Sequence, residues 1–76
     1  MKKERMELSV VIRGKKYEGY RIIERQNNGE MRQLIYYKLH HGRKDLRSYQ
    51  VGHEKIMERV ACLILEDLVR DSGEFK

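Results

Sequence analysis

The residues of this 76-residue chain best suited to chemistry are its cations and its tyrosines. Arg32, Tyr36, Lys38 and His40 share one parity of a run that alternates with period two. Arg21 and Arg25 share a parity in the run before it, and Arg43, Lys44, Arg47 and Tyr49 follow in the next turn and strand. Lysine and arginine neutralise phosphates, and flat aromatic rings stack on bases. A sheet face that carries both is therefore suited to DNA or RNA. Alternation by itself puts charge on any wet sheet face. The added feature is sign: the wet parity of residues 31–41 holds Arg32, Lys38 and His40 and no acid, although Glu18 and Glu24 dilute the bias one run earlier.

The charge of the whole chain points the same way. Seventeen Lys and Arg against 12 Asp and Glu give a net +5. Residues 1–53 hold 13 basic and 6 acidic residues, and residues 54–76 hold 4 and 6, so +7 sits on the first part and −2 on the second. A basic segment joined to a mildly acidic one suits an anionic partner for the first.

Other chemistries are poorly supplied. His40-His41 and His53 lack the further Asn or acid ligand and the histidine well inside a helix that a ββα nuclease metal site requires, and zinc normally takes four ligands. They read as surface histidines, and no metal is expected. Cys62, in the middle of Val60-Ala61-Cys62-Leu63-Ile64, reads as a small buried hydrophobe rather than a nucleophile. The glycines are dispersed singly, so no phosphate-cradling loop exists. The expectation is a non-enzymatic protein without a cofactor.

The elements that must position these residues follow from hydrophobic period. Met6 to Arg13 alternates cleanly, with Met6, Leu8, Val10 and Ile12 on one face, and predicts a strand. Gly14-Lys15-Lys16 reads as a turn. Tyr17 to Gln26 is a second strand, and Asn28-Gly29 signals a hairpin with a type I′ turn. Met31 to His41 returns, with Met31, Gln33, Ile35, Tyr37 and Leu39 inward. After a turn at His41-Gly42-Arg43-Lys44, Asp45 to Val51 forms a shorter strand. Its inward face stays open, because Leu46 lies on one parity and Tyr49 and Val51 on the other.

From His53 to Arg70 the period changes to 3.6. Leu63, Ile56, Val60, Ile64, Met57, Leu68 and Ala61 fill one arc, which is expected to pack on the sheet. Gly73 suits a left-handed cap. Cys62, Leu65 and Val69 form a second, thinner stripe beyond that arc, which predicts a homodimer contact. A dimer would also enlarge a core that is small for a chain of this length.

The predicted fold class is α+β: a small antiparallel sheet of three to four strands, in the order β-β-β-β-α, packed on one C-terminal helix. One domain over residues 1–76 is expected, with a basic tail at 1–5, the sheet over 6–51, the helix over 53–70 and a frayed tail at 71–76. The single cysteine excludes an internal disulfide. The longest apolar run, Val60 to Leu65, is far short of the ~20 residues of a membrane span. The first residues, Met-Lys-Lys-Glu-Arg, lack the apolar stretch of a secretion signal, so a cytoplasmic location is expected.

With Gly29-Glu30 after the hairpin turn and Gly42-Arg43-Lys44 before the last strand, the strand-strand-strand-helix order of residues 17–70 resembles, in topology, the arm-binding domains of phage-type integrases. It is similar also to small single-strand-binding coactivator folds. Both resemblances imply nucleic-acid binding. The resulting expectation is a basic accessory or regulatory module that binds nucleic acid through its sheet face. The alternative is a protein-binding module, of the kind found in mobile-element or phage regulators and inhibitors, docking through a sheet edge or the helix stripe.

Overall fold

The computed structural model of the chain describes residues 2–38 and 46–73. Four strands, β1 (Lys2–Ile12), β2 (Lys15–Arg25), β3 (Met31–Tyr37) and β4 (Leu46–Gly52), are followed by one helix, α1 (Glu58–Asp71). The strands form an antiparallel sheet in the order β1-β2-β3-β4, and α1 packs on one face. This is the α+β architecture expected from the hydrophobic pattern. No helix among the described residues is long and apolar enough to cross a membrane.

The turns fix the register. Arg13 and Gly14 both have positive φ, 52° and 79°, as a two-residue type I′ turn demands, and the turn pairs Ile12 with Lys15. The Asn28-Gly29 turn differs from the expectation. Only Gly29 is left-handed there (φ 86°), the Gly29 N–H donates to Gln26 O at 3.2 Å, and the Gln26 N–H donates to Glu30 O at 2.8 Å. That pattern is a type I turn closed by a glycine bulge over the three residues Asn27, Asn28 and Gly29. Asn28 Oδ1 accepts from the Glu30 N–H at 2.9 Å, which steadies the bulge.

The expected basic tail at 1–5 is instead strand from Lys2 onward. Lys2–Arg5 pair along the backbone with Ile22–Arg25. Lys3–Glu24 (3.5 Å) and Arg25–Glu4 (3.3 Å) ion pairs flank that pairing.

The core lies between the sheet and α1. Leu8, Ile12, Tyr17, Ile35 and Tyr37 supply the sheet side, and Ala61, Leu65 and Val69 the helix side. Tyr17 meets Tyr37 edge to face, with ring centroids 6.2 Å apart. Gly19 stands opposite both Leu8 and Tyr37, and its missing side chain leaves the space that Leu65 fills.

Here the expected helix face is corrected. Leu65 and Val69, read as a dimer stripe, are fully buried against the sheet and have no surface to offer a second copy. Cys62 is half-buried at the flank, its Sγ 4.0 Å from Ser9 O. Leu63, Val60 and Met57, read as inward, are exposed. Part of the cause is the helix start, since Ile56 and Met57 precede α1 and do not belong on its wheel. The rest is the fit of Leu65 into the space at Gly19, which turns Ala61, Leu65 and Val69 inward. At the far end Gly73 has φ 79°, as expected of a left-handed cap.

Two polar side chains hold that late start. Gln33 Oε1 accepts from the Ile56 N–H at 2.9 Å, and Gln33 Nε2 donates to Glu54 O at 2.9 Å. Arg21 Nη2 donates to Ile56 O at 2.8 Å and to Gln33 Oε1 at 3.0 Å. Ile56 thus spends both backbone groups on side chains of the sheet, and α1 begins after it, its first turn marked by the Ala61 N–H donating to Met57 O at 3.0 Å. Ordering backbone costs about 1–2 kcal/mol per residue, against about 0.5–1.5 kcal/mol gained from a typical hydrogen bond. The clamp therefore succeeds only together with the packing of Ile56 against the core.

Gly19→Ala is expected to destabilise the fold by about 1–3 kcal/mol or more, because its new Cβ would collide with Tyr36 O and lie 2.7 Å from Leu65 Cδ1. Gly52→Ala, with nothing within 4 Å, serves as the control. Urea denaturation of both variants checks this, and equal midpoints would contradict it.

Candidate nucleic-acid interface

Register places every sheet residue on one of two faces, since residues directly opposite across a ladder point the same way. The face away from α1 is built from three full rows. They are Lys3-Glu24-Arg32-Val51, Arg5-Ile22-Leu34-Tyr49 and Glu7-Tyr20-Tyr36-Arg47. Ser9, Glu18, Lys16 and Lys38 extend it toward the β1–β2 turn.

At its centre Tyr20 and Tyr36 stack across the strands, rings 4.7 Å apart and 11° from parallel. The Arg5 guanidinium lies 4.1 Å from the Tyr20 ring centre, on the β1 side, and Lys38 Nζ lies 5.8 Å from it. Glu7 accepts a hydrogen bond from Arg5 at 3.4 Å and forms an ion pair with Lys38 at 3.7 Å. Ile22 and the buried Leu34 form an apolar floor beside this cluster, bordered by Tyr49 and Val51, each about half exposed.

Charge is unevenly divided between the two layers. The open face carries Lys3, Arg5, Lys16, Arg32, Lys38 and Arg47 against Glu7, Glu18, Glu24 and, at its end, Glu30 beside Arg32. Helix α1 carries Glu58, Glu66, Asp67 and Asp71 against Arg59 and Arg70. The ion pairs on the open face are between 3.4 and 3.9 Å long and solvent-exposed, apart from the side chain of Glu24, which is 20% exposed. Such pairs contribute ~0–1 kcal/mol each, so a phosphate can displace a carboxylate partner at little cost. Arg47 has no ion-pair partner among the described residues.

Of the residues singled out from sequence, Arg32, Tyr36, Lys38, Arg47 and Tyr49 do share this face. His40, Arg43 and Lys44 lie outside the described residues. Arg21 and Arg25 do not belong to the face. Both fall on the helix side, where Arg21 is only 2% exposed, and Arg25 lies at the sheet end beside Glu4. The reason is that β2 holds apolar residues on both parities, Tyr17 and Ile23 against Tyr20 and Ile22, so its own pattern cannot choose a face. The turn can: pairing Ile12 with Lys15 puts Arg21 opposite Met6, on the face that Met6, Leu8 and Ile12 already define as inward.

Lys3, Arg5, Lys16 and Tyr20 are the residues that sequence reasoning missed. The alternation of Met6 to Ile12, carried back to Lys3, would have found the first two. Tyr36 also plays a different part from the one expected, since it spends one ring face on Tyr20. Tyr49 is the aromatic ring left open to a ligand.

Among the described residues no group of three His, Cys, Asp or Glu is placed to hold a metal ion. Burial pushes the Cys62 thiol up from its ordinary range. The negative charge of Glu58 adds to the shift, and the positive charge of Arg21 opposes it. A raised pKa means less thiolate at neutral pH. Cys62 is expected to react with a disulfide reagent at pH 7.5 several-fold more slowly in the folded chain than in urea. Equal rates would show that the thiol is neither shielded nor shifted.

Comparison of the chain with protein-family models, with characterised proteins and with solved structures yields no match. The topological likeness to integrase arm-binding domains and coactivator folds therefore gains no support from these comparisons.

Proposed function

We propose that this protein is a non-enzymatic nucleic-acid-binding module that contacts its ligand through the open face of the sheet, as an accessory or regulatory factor in the cytoplasm. The observation that carries the reading is the segregation of charge. An exposed four-stranded face has six cations to four carboxylates, Glu30 at its end included, while the opposite layer, α1, is net acidic. Arg5, Arg32, Lys38 and Arg47 supply phosphate contacts. Because Tyr20 is engaged on one side by Arg5 and on the other by Tyr36, base stacking falls to Tyr49, and affinity comes mainly from charge.

A charge-driven contact has a defined salt signature. Affinity for an oligonucleotide, followed by fluorescence anisotropy, is expected to fall steeply with salt. Lys38→Ala and Arg47→Ala are each expected to lower the slope of log K against log salt by roughly one. Glu7→Gln, which removes the carboxylate shared by Arg5 and Lys38, is expected to strengthen binding. Arg59→Ala on the helix is expected to leave it unchanged. Affinity at physiological salt no tighter than the ~10⁻⁴–10⁻⁶ M of non-specific contact contradicts the reading. So does equal sensitivity to the sheet and helix variants.

A second reading is favoured by one feature, the exposed apolar residues Met57, Val60 and Leu63 around the start of α1. A protein partner, or a second copy of the chain forming a homodimer, would cover them. Sedimentation equilibrium distinguishes the cases: self-association abolished by Leu63→Asp supports the homodimer, and a monomer at high concentration excludes it.

A further inference from the structure

We infer that the free edge of β1 pairs with the same edge of a second copy of the chain. The two strands run antiparallel about a two-fold axis at Met6 and join the two four-stranded sheets into one. The inference does not rest on the nucleic-acid reading, since the edge can pair whether or not the open face receives a polyanion.

β1 ends the sheet, and its 11 residues keep one unbroken register with β2. The Ile12–Lys15 pair closes a two-residue turn and is therefore a hydrogen-bonded pair. Such pairs alternate with non-hydrogen-bonded ones, so the even residues of β1 spend their N–H and C=O groups on β2. The odd residues, Lys3, Arg5, Glu7, Ser9 and Val11, turn theirs to the free side. Ser9 O accordingly meets Cys62 Sγ, at 4.0 Å, rather than β2. Among the described residues no strand covers this row. A long edge without proline or bulge is a template for another strand.

Charge selects the partner and the register. Edge cations commonly repel a second strand, but here the order of signs is self-complementary. With the axis at Met6, Arg5 stands opposite Glu7 of the second copy, Glu7 opposite its Arg5, and Lys3 opposite its Ser9. Opposite charges facing across a ladder stabilise it, and like charges weaken it. An axis at Arg5 would pair Lys3 with Glu7 but set Arg5 against itself, and an axis at Glu7 would set Glu7 against itself. Within each chain Arg5 already lies 3.4 Å from Glu7, so the four charges alternate around the axis. On the helix side Met6 meets Met6, beside a cleft of about 310 Å³ whose apolar walls are Met6, Leu8, Ile56 and Met57. Met57 is 68% exposed in the single chain, and flexible methionines from both copies can repack into that space.

Sedimentation equilibrium is expected to show a dimer with a dissociation constant below about 1 mM. Arg5→Glu and Glu7→Arg are each expected to weaken it at least about tenfold, and the double variant, which restores opposite charges, to recover it. Leu63→Asp, on the outer side of α1, is expected to leave it unchanged. The register has its own test in a Cys62→Ser background. Cα atoms of a non-hydrogen-bonded pair stand ~4.5 Å apart, within reach of a disulfide. Met6→Cys is therefore expected to oxidise to a linked dimer, and Glu4→Cys, which faces Leu8 of the second copy, is not. Amide exchange at Arg5, Glu7 and Ser9 is expected to slow as protein concentration rises.

Three results would overturn the inference. The first is a monomer at about 1 mM protein, with exchange at Arg5, Glu7 and Ser9 independent of concentration. The second is association lost with Leu63→Asp but kept in Arg5→Glu and Glu7→Arg, which would place the contact on α1. The third is a double charge variant no tighter than the single ones, or Glu4→Cys linking as readily as Met6→Cys.

Discussion

A two-residue turn at Arg13-Gly14 pairs Ile12 with Lys15, and every later pairing of the first hairpin follows from it, down to Lys2 with Arg25. Side chains in a strand alternate with period two, so a slip of one residue would exchange the faces of the whole of β2. The slip would put Tyr20 and Ile22 against the helix and Arg21 and Gly19 in water. Leu65 would then lose the gap that Gly19 leaves for it. The division of the molecule into a packed face and an open one is therefore set at one turn. The positive φ of Arg13, uncommon for a residue with a side chain, is the local cost.

On the packed side that register brings a charge inside. Arg21 stands in a row with Met6 and Ile35, where an apolar residue would serve stability at least as well. With Gln33 it does hold the 53–57 segment and so decides where α1 begins. Gln33 alone could satisfy the Ile56 N–H and Glu54 C=O. What Arg21 adds is a bond to the Ile56 carbonyl, which completes the hold on that residue's backbone. On the open side the same register sets Tyr20 beside Tyr36 and beneath Arg5, so the aromatic pair works as a stiff centre that holds cations in place.

The strands and their order were legible from alternation and turn residues, because half-buried antiparallel strands write their two faces into the sequence. The inward set Met31, Gln33, Ile35 and Tyr37 is buried as its parity implied. The open question at β4 resolves with Leu46 toward the helix and Tyr49 and Val51 away. Two features resisted. In β2 both parities are apolar, so its face was decided by the neighbouring turn and not by its own residues. At the helix start, Ile56 and Met57 continue a 3.6 period by coincidence while the Ile56 backbone is held by Gln33 and Arg21, a tertiary contact across more than 20 residues that no local pattern records. That displacement, together with the gap at Gly19 that Leu65 fills, turned the helix away from its predicted face, so Leu65 and Val69, which looked spare, lie in the core. Part of the expected basic site, at His40, Arg43 and Lys44, lies outside the described residues, while Lys3 and Arg5 enter it from a strand read as a tail.

The central claim is that the faces have different tasks, with the open sheet face receiving the polyanion. The most direct measurement is a map of chemical-shift changes in the ¹⁵N-labelled protein as a short oligonucleotide is added at low salt. The account predicts that the largest changes fall on Arg5, Tyr20, Arg32, Lys38, Arg47 and Tyr49, with α1 from Glu58 to Asp71 unmoved. Changes concentrated on α1, or no saturable change at all, would contradict it.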